Sequence, residues 1–324
     1  MPILEEVPLV DKVEFEANKT KKIKIPKNNF ISEIKLRLEV KIVNTAVAPT
    51  NHEDNPMSIV KRIRLFAKGK DAIFDAQMSL RFYEQKYLSG TEPERATTSL
   101  TASATSTGIA ECSIVFRVDE NNLDDITALL PAHDLSDLDL EVDWGTNTDL
   151  QLTNAGTITA ADSFIKVSIV EATLTEEDIN KLKEQFGDAK VLNKVVRQAE
   201  HDIAGVNDNF VFSKNITIGN LIQRQLLQVW DNGVRNDTLV SRFKFKQYSP
   251  VKKDLEDRNF PQSQSTDKRK YRLESVVKGI TIIDWSDKGF LDLTDLKDGD
   301  VKYEHNNIAK TGTAKIILLS TEFG

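Results

Sequence analysis

The side chains able to perform acid–base, metal or nucleophilic chemistry are few in this sequence, and their spacing does not assemble them. The four histidines are His52, His133, His201 and His305. None forms the His-x-His or His-x₃-His pair that lets one element present two imidazoles to a metal ion. Cys112 is the single cysteine, which leaves neither an intramolecular disulfide nor a thiolate cluster. It opens the apolar run Cys112–Val118, where a thiol packs as a small hydrophobe. The sequence contains no glycine-rich phosphate loop, Gly-x-Ser-x-Gly elbow or Cys-x₂-Cys pair.

Carboxylates cluster at Asp124-Asp125, at Asp139, Glu141 and Asp143, and at Asp292, Asp295, Asp298 and Asp300. A glycosidase needs two carboxylates facing each other across a cleft. Among 50 acidic residues such pairs arise by chance, so the sequence singles out none. The run from Asp295 to Asp300 lacks EF-hand spacing and the terminal Glu; it reads as a solvated loop, with a weak calcium site as the alternative. Trp144, Trp230 and Trp285 all fall in or at the end of strand-like segments. They serve either as packing groups or as aromatic platforms for sugar. Lys19, Lys21, Lys22, Lys24 and Lys27 follow one another with no acid between them, alternating partly with Ile23 and Ile25, which places the lysines on one strand face. That face is either solvated or an inner surface turned to anionic lipid or nucleic acid. No catalytic, cofactor-binding or metal residue is assigned, and the chain is not expected to be an enzyme.

Composition narrows the class. Hydrophobic residues make up 40% and charged residues 29% of 324, as in ordinary globular proteins. The net charge of −7 disfavours a mainly nucleic-acid-binding surface. Met1-Pro2-Ile3-Leu4-Glu5-Glu6 has neither the basic nor the apolar region of a signal peptide. No apolar run approaches the ~20 residues of a membrane span. A chain made and assembled in a cytoplasm is expected.

The elements that must position these residues are mostly strands. Ile34, Leu36, Leu38, Val40 and Ile42 alternate with Lys35, Arg37, Glu39 and Lys41, the period of a strand with one face buried. The same pattern marks Leu138–Trp144 and Ile165–Ile169. Further strands are predicted at Ile59–Ala67, Ala72–Phe74, Ser79–Leu88, Ile114–Val118, Phe210–Ile218, Leu221–Trp230, Thr238–Tyr248, Tyr271–Lys278, Gly279–Trp285 and Ala314–Ser320, with short strands and a turn at Ala17-Asn18 in Val10–Ile25. Thr97–Gly108 is a polar exposed strand or a projecting loop; Ala189–Ala199 is helix or strand. One helix is predicted, over Thr175–Phe186: Thr175 and Asp178 form a capping box, Leu174 and Ile179 a hydrophobic staple, and Gly187 a stop. Ser249–Lys270 reads as a long polar excursion.

An ordered echo divides the chain. Ile59-Val60-Lys61-Arg62 returns as Leu221-Ile222-Gln223-Arg224, an offset of 162 (221 − 59) in a chain of 324. Leu80-Arg81-Phe82 with Tyr87 returns as Ser241-Arg242-Phe243 with Tyr248. Lys68-Gly69-Lys70-Asp71 and Asp231-Asn232-Gly233 are the hinges between the matches. So long a period means two copies of a domain, not a solenoid. The reading is all-β: an N-terminal arm (1–29), a first domain (30–173), a linker with the helix (174–200) and a second domain (201–324). Halves near 160 residues suit two eight-stranded antiparallel jelly rolls better than immunoglobulin-like domains.

The segment order resembles the double jelly-roll major capsid proteins of tailless icosahedral viruses, the lineage of adenovirus hexon and of the coats of membrane-containing phages and archaeal viruses. The resemblance is carried by Asn55–Ile63 leading into Gly69, by Ala128-Leu129-Leu130-Pro131 followed by Leu138–Gly145, by Leu221–Arg224, and by Lys278–Asp284. It spans most of Phe30–Gly324. The short Val10–Lys27 arm departs from members with a long membrane-spanning or helical tail. The resemblance implies two jelly rolls side by side and a homotrimer of pseudo-hexagonal outline that tiles a shell. It further implies contacts with neighbouring capsomers and with minor capsid or penton proteins, a place in the virion, and no small-molecule substrate or cofactor. Glu92–Gly108 and Ser249–Lys270 would then build turrets or subunit contacts, and the lysines of Val10–Lys27 would meet an internal membrane or the genome. The competing reading is a carbohydrate-binding or glycan-active β-sandwich supported by the tryptophans.

Overall fold

The computed structural model describes residues 1–67, 71–187, 191–212, 219–250, 252–297 and 300–324. The expected hinge at Lys68-Gly69-Lys70, the end of the expected strand Phe210–Ile218, and Asp298 lie outside them. The chain separates into two units, Met1–Val195 and Val196–Gly324.

In the first unit eight main strands form two antiparallel sheets, with shorter strands added at their margins. The eight are β1 (Ile3–Pro8), β2 (Thr20–Lys24), β3 (Phe30–Val43), β4 (Val60–Ala67), β5 (Asp71–Ala76), β6 (Thr105–Val115), β7 (Leu138–Trp144) and β8 (Phe164–Thr173). One sheet runs β1-β8-β3-β6, the other β2-β7-β4-β5. The alternation of β3 puts all five of its aliphatic residues from Ile34 to Ile42 in the core. Leu36 registers between Val167 of β8 and Cys112 of β6. Within the other sheet Leu65 registers between Leu140 and Phe74. Each fully buried aliphatic side chain contributes roughly 1.5–3 kcal/mol by leaving water. Residues 1–29, read from sequence as an arm, supply the first two strands of this roll: Leu4 pairs with Ala172 and Ile23 with Leu140. Two helices accompany the strands, α1 (Met78–Ser89) and α2 (Glu176–Phe186). In α2 the Thr175 hydroxyl accepts from the Asp178 amide, the Asp178 carboxylate accepts from the Thr175 amide, and Gly187 closes the helix at φ 71°, as the capping box predicts.

The second unit repeats this plan. Its strands are β9 (Lys194–Ile203, which begins just before the boundary), β10 (Asn207–Phe212), β11 (Leu221–Asp231), β12 (Val240–Gln247), β13 (Lys253–Asn259), β14 (Ile280–Asp284), β15 (Val301–Asn307) and β16 (Ala314–Phe323). The sheets run β9-β16-β11-β14 and β10-β15-β12-β13. Numbered one to eight within each unit, the strand order is 1-8-3-6 and 2-7-4-5 in both. A helix joins strands five and six in both: α1 in the first, α3 (Phe260–Lys270) in the second. The second core packs Phe243, Phe245, Phe260, Trp285 and Tyr303 between its sheets.

Several segments differ from expectation. Ser79–Leu88 is α1, not a strand. Alternating Met78, Leu80 and Phe82 imitate strand period, but Tyr83, Glu84 and Tyr87 are buried too, since the helix is sunk among its neighbours and shows no single apolar stripe. Its C-terminal signal, Gly90 at φ 73°, is the left-handed cap that glycine adopts readily. Ser249–Lys270 is not a loop but β13 and α3. Its mixed charge is a cross-strand ladder, in which Asp257 takes Arg242 and Asp254 takes Lys244. Asn259 then accepts from the Gln262 amide, with Pro261 in the first turn of α3. Tyr271–Lys278 is irregular, and Ala189–Ala199 resolves as strand from Lys194 onward. The echo itself aligned unlike elements. Val60–Arg62 opens strand four of its roll, whereas Leu221–Arg224 opens strand three; Leu80–Phe82 is helical, whereas Ser241–Phe243 is extended. The duplication is real in topology, and those matched residues do not carry it.

Candidate interaction surfaces

The titratable residues are mostly engaged inside the fold. His52 Nδ1 accepts from the Asp54 amide at 3.0 Å, and the His133 ring packs edge-on to Phe30. His201 of β9 and His305 of β15 come together, ring centroids 5.9 Å apart. Burial lowers both imidazole pKa values, that of His305 to about 4, with His201 adding to the effect. No spacing rule could reveal this pair, because its members lie on different sheets. Among the described residues no group of three or more His, Cys, Asp or Glu side chains is arranged to hold a metal ion. Cys112 is buried, and burial pushes its thiol up to about 12, which suppresses the nucleophilic thiolate.

The acidic clusters have structural work. Asp139 takes Lys22 at 2.9 Å, and Asp143 takes Arg64 at 2.7 and 2.8 Å with Thr20 at 2.6 Å. Asp125 accepts from the Asp119 and Thr127 amides, Asp292 from the Thr294 amide, and Asp300 from the Lys297 amide, all tying turns. The lysine row does not keep to one face. Lys22 and Lys24 are exposed on one side of β2, while Lys21 and Ile23 take the other. Lys21 pairs with Glu16, and Lys27 donates to the Leu135 and Ser136 carbonyls. The tryptophans are all buried: Trp144 against Phe15, Trp230 beside the Arg235 guanidinium, Trp285 against Phe245. None offers a ring to a sugar.

An ionic knot in the first unit had no sequence signal. Arg81 of α1 is 1% exposed and bonds Glu84 and Glu120, the latter at 2.5 Å. Glu120 also takes Lys194 at 2.7 Å, and Arg117 lies 3.5 Å from Glu33. Burial opposes the charge on Arg81, and Glu120 and Glu84 outweigh it, so the guanidinium pKa is raised. The outward face of sheet β1-β8-β3-β6 carries a trough of about 550 Å³ lined by Glu6, Lys12, Lys35, Arg37, Glu111 and Lys166. Its charges are largely matched: Lys35 with Glu6, Arg37 with Glu94 and Glu111, Lys166 with Glu39.

No known family's sequence pattern matches the chain, and no curated protein matches it. Solved structures do. The major capsid protein of Sulfolobus turreted icosahedral virus superposes with a TM-score of 0.80 at 17% identity, over 99% of this chain and 96% of that one. The major capsid protein P2 of bacteriophage PM2 gives 0.61 at 13%, over 99% and 98%. The PBCV-1 capsid protein gives 0.64 at 8%, over 100% and 94%. The fold is the double jelly roll of viral major capsid proteins. These likenesses extend through both units, and therefore through strands β1 and β2 as well as the two interstrand helices.

Proposed function

We propose that this chain is a major capsid protein whose three copies close into a pseudo-hexagonal capsomer, the tile of an icosahedral shell. The supporting observation is the duplicated 1-8-3-6 and 2-7-4-5 topology along nearly the whole length of solved capsid proteins. Two similar rolls in each of three copies give six similar units around one axis, and a cyclic trimer uses one contact three times and closes. The partners are then the chain itself, neighbouring capsomers, and minor capsid or penton proteins. The place of action is the virion, after assembly in the host cytoplasm, and the role is structural, not enzymatic. A contact with an internal membrane or genome would use Lys19 and Lys24, because Lys21, Lys22 and Lys27 are already engaged. Buried tryptophans remove the support for a sugar-binding reading. Multi-angle light scattering of the purified chain tests the proposal: a species near three chains of 36.5 kDa with a hexagonal outline in negative stain is expected, and a monomer at every concentration refutes it.

A further inference from the structure

The run Lys268-Arg269-Lys270-Tyr271-Arg272 carries four cations in five residues, in a chain whose net charge is −7. It closes helix α3. Cations at a helix C-terminus complement the macrodipole, which accounts for some of them. The backbone of the last one needs another cause. The Leu273 amide donates to the Lys268 carbonyl at 3.1 Å, and the Tyr271 amide to the Asp267 carbonyl at 2.9 Å. With Leu273 buried, this is a Schellman closure whose left-handed position falls on Arg272, at φ 52°. Helices α1 and α2 put glycine at their left-handed ends, Gly90 at φ 73° and Gly187 at φ 71°. Glycine adopts that conformation without strain, and a residue with a β-carbon does not. The chain therefore ends two helices on glycine and forgoes it at the third. Among the described residues the Arg272 side chain has no hydrogen-bond or ion-pair partner to offset the strain. A local rule broken in this way points to a residue kept for what its side chain meets outside the fold.

Arg272 does not stand alone. Lys268 and Arg269 are exposed as it is, and neither has a carboxylate partner among the described residues. Lys270 is engaged, with Asp284 at 3.1 Å and Asp287 at 2.9 Å. The acid of α3 itself, Asp267, is buried and accepts from the Thr281 hydroxyl at 2.6 Å. The other exposed residues of the helix are Pro261, Gln262, Ser265 and Thr266, all uncharged. The outer face of α3 is thus free of acid and ends in three open cations on long side chains.

Open cations select an anionic partner, and their surroundings select its form. Among the described residues no exposed large hydrophobic side chain lies between Val234 and Ile308, so the patch has no apolar wedge for a lipid interface. Asp287 stands beside Lys270, and Glu274 follows Arg272 closely in the chain. A flat anionic membrane or a nucleic-acid duplex laid over the patch would press on these carboxylates too. Tyr271 is half-buried, its hydroxyl donating to Asp284 at 3.0 Å, so the bases of a single strand find no free ring to stack on. A thin, flexible polyanion avoids all three obstacles. Guanidinium groups hold oxyanions through paired N–H donors, and short Lys/Arg-rich runs form patches for sulfated polysaccharide. We propose that Lys268, Arg269 and Arg272, at the C-terminal end of α3, form a binding surface for a sulfated polysaccharide. The contact is to sulfate groups and needs none of the aromatic platforms that the buried tryptophans fail to supply. It lies within the second unit and does not depend on the capsomer reading.

The test is binding of the full chain to immobilised heparin by surface plasmon resonance, for wild type, R272G, K268Q/R269Q and K252Q/K253Q. Lys252 and Lys253 are exposed and lie away from α3 in the chain, so their variant removes equal charge elsewhere. Thermal unfolding of each is measured alongside. Wild type should bind and lose affinity as salt rises. R272G should weaken binding about threefold and K268Q/R269Q about tenfold, with K252Q/K253Q unchanged. R272G should also unfold at the wild-type temperature or above it, because glycine relieves the left-handed position. A lower melting point for R272G would mean that the side chain serves the fold, and the argument fails. It fails equally if wild type does not bind, if R272G or K268Q/R269Q binds as wild type does, or if K252Q/K253Q loses as much, since net charge would then suffice. Undiminished binding to chemically desulfated heparin would remove sulfate as the ligand. Tighter binding to duplex DNA would assign the run to nucleic acid, and flotation with phosphatidylglycerol vesicles that R272G abolishes would assign it to a membrane; either result overturns the polysaccharide.

Discussion

Replacing Glu120 by Gln tests whether the ionic knot holds the first unit together. Glu120 is the common acceptor of Arg81 and Lys194, at 2.5 and 2.7 Å, and the side chains of both cations are 2% exposed. The amide keeps the size of the carboxylate and removes its charge. Arg81 then keeps Glu84, and the buried ammonium of Lys194 loses the carboxylate charge that lay 2.7 Å away while its bond to the Arg117 carbonyl remains. Removing one partner's charge from a buried ion pair costs about 3–5 kcal/mol. For a unit of this size each kcal/mol moves the melting point by roughly 2–4 °C, so a fall of roughly 6–20 °C is expected by differential scanning calorimetry. Glu94, which pairs with Arg37 on the surface, supplies the contrast: E94Q removes an equally short ion pair in water, where solvent screens it, and should leave the melting point within error. Equal effects of E120Q and E94Q, or a fall under about 2 °C for E120Q, would refute the reasoning, because burial and not proximity is the claimed cause.

Two further predictions concern the second unit. Burial holds the His305 imidazole down to about 4, with His201 adding to the effect, whereas the unfolded chain takes up a proton near pH 6.5; folding stability is therefore full above that value and falls by about 3 kcal/mol as pH drops toward 4. Urea denaturation at stepped pH should show this slope, and H305L should flatten it; an unchanged slope in the variant would assign the effect to other groups. Gly279 sits at φ 67°, and a Cβ there would meet the Val229 carbonyl oxygen at 2.8 Å. G279A should cost more than about 1 kcal/mol in the same assay, and a neutral result would mean the turn relaxes freely.

The sequence makes one kind of information legible: alternation on strands that bury one face. Phe30–Val43 and Leu138–Trp144 are strands because nothing but a strand keeps period two over that length, and Ala314–Ser320 is a short apolar run buried on both faces. The cap of α2 is legible for a similar reason, since Thr175 and Asp178 satisfy local amides that no distant contact could satisfy for them. What fails is what depends on distant partners. The first strand, Ile3–Pro8, is an edge strand with little buried surface, so its sequence barely alternates. The polar segment Lys253–Asn259 is held by pairing to β12 and not by burial. Helix α1 looks like a strand because both its sides are covered. The meetings of His201 with His305, and of Arg81 with Glu120 and Lys194, join residues far apart in the chain, and pattern alone could not report them.

The two rolls share a topology that no local residue match records, and this bears on how specificity is built. Jelly-roll geometry needs apolar residues facing inward and turns of workable length, and many sequences meet that demand. Outward residues are free to vary, and on the sheet β1-β8-β3-β6 they have been used to neutralise one another: Lys35 with Glu6, Lys166 with Glu39, Arg37 with Glu94 and Glu111. A wall whose charges are already matched offers a partner little electrostatic direction, and disrupting those pairs to dock on it would forfeit their energy. The connections are different. In residues 43–51, 97–110 and 150–161 the polar groups of Asn44 and Gln151 are consumed in knitting the loops, and what remains outward mixes Val47, Leu100 and Leu152 with uncharged polar residues such as Thr45, Thr101 and Asn154. Stability therefore lies with the sheets, and the connections are free to vary without redesign of the core.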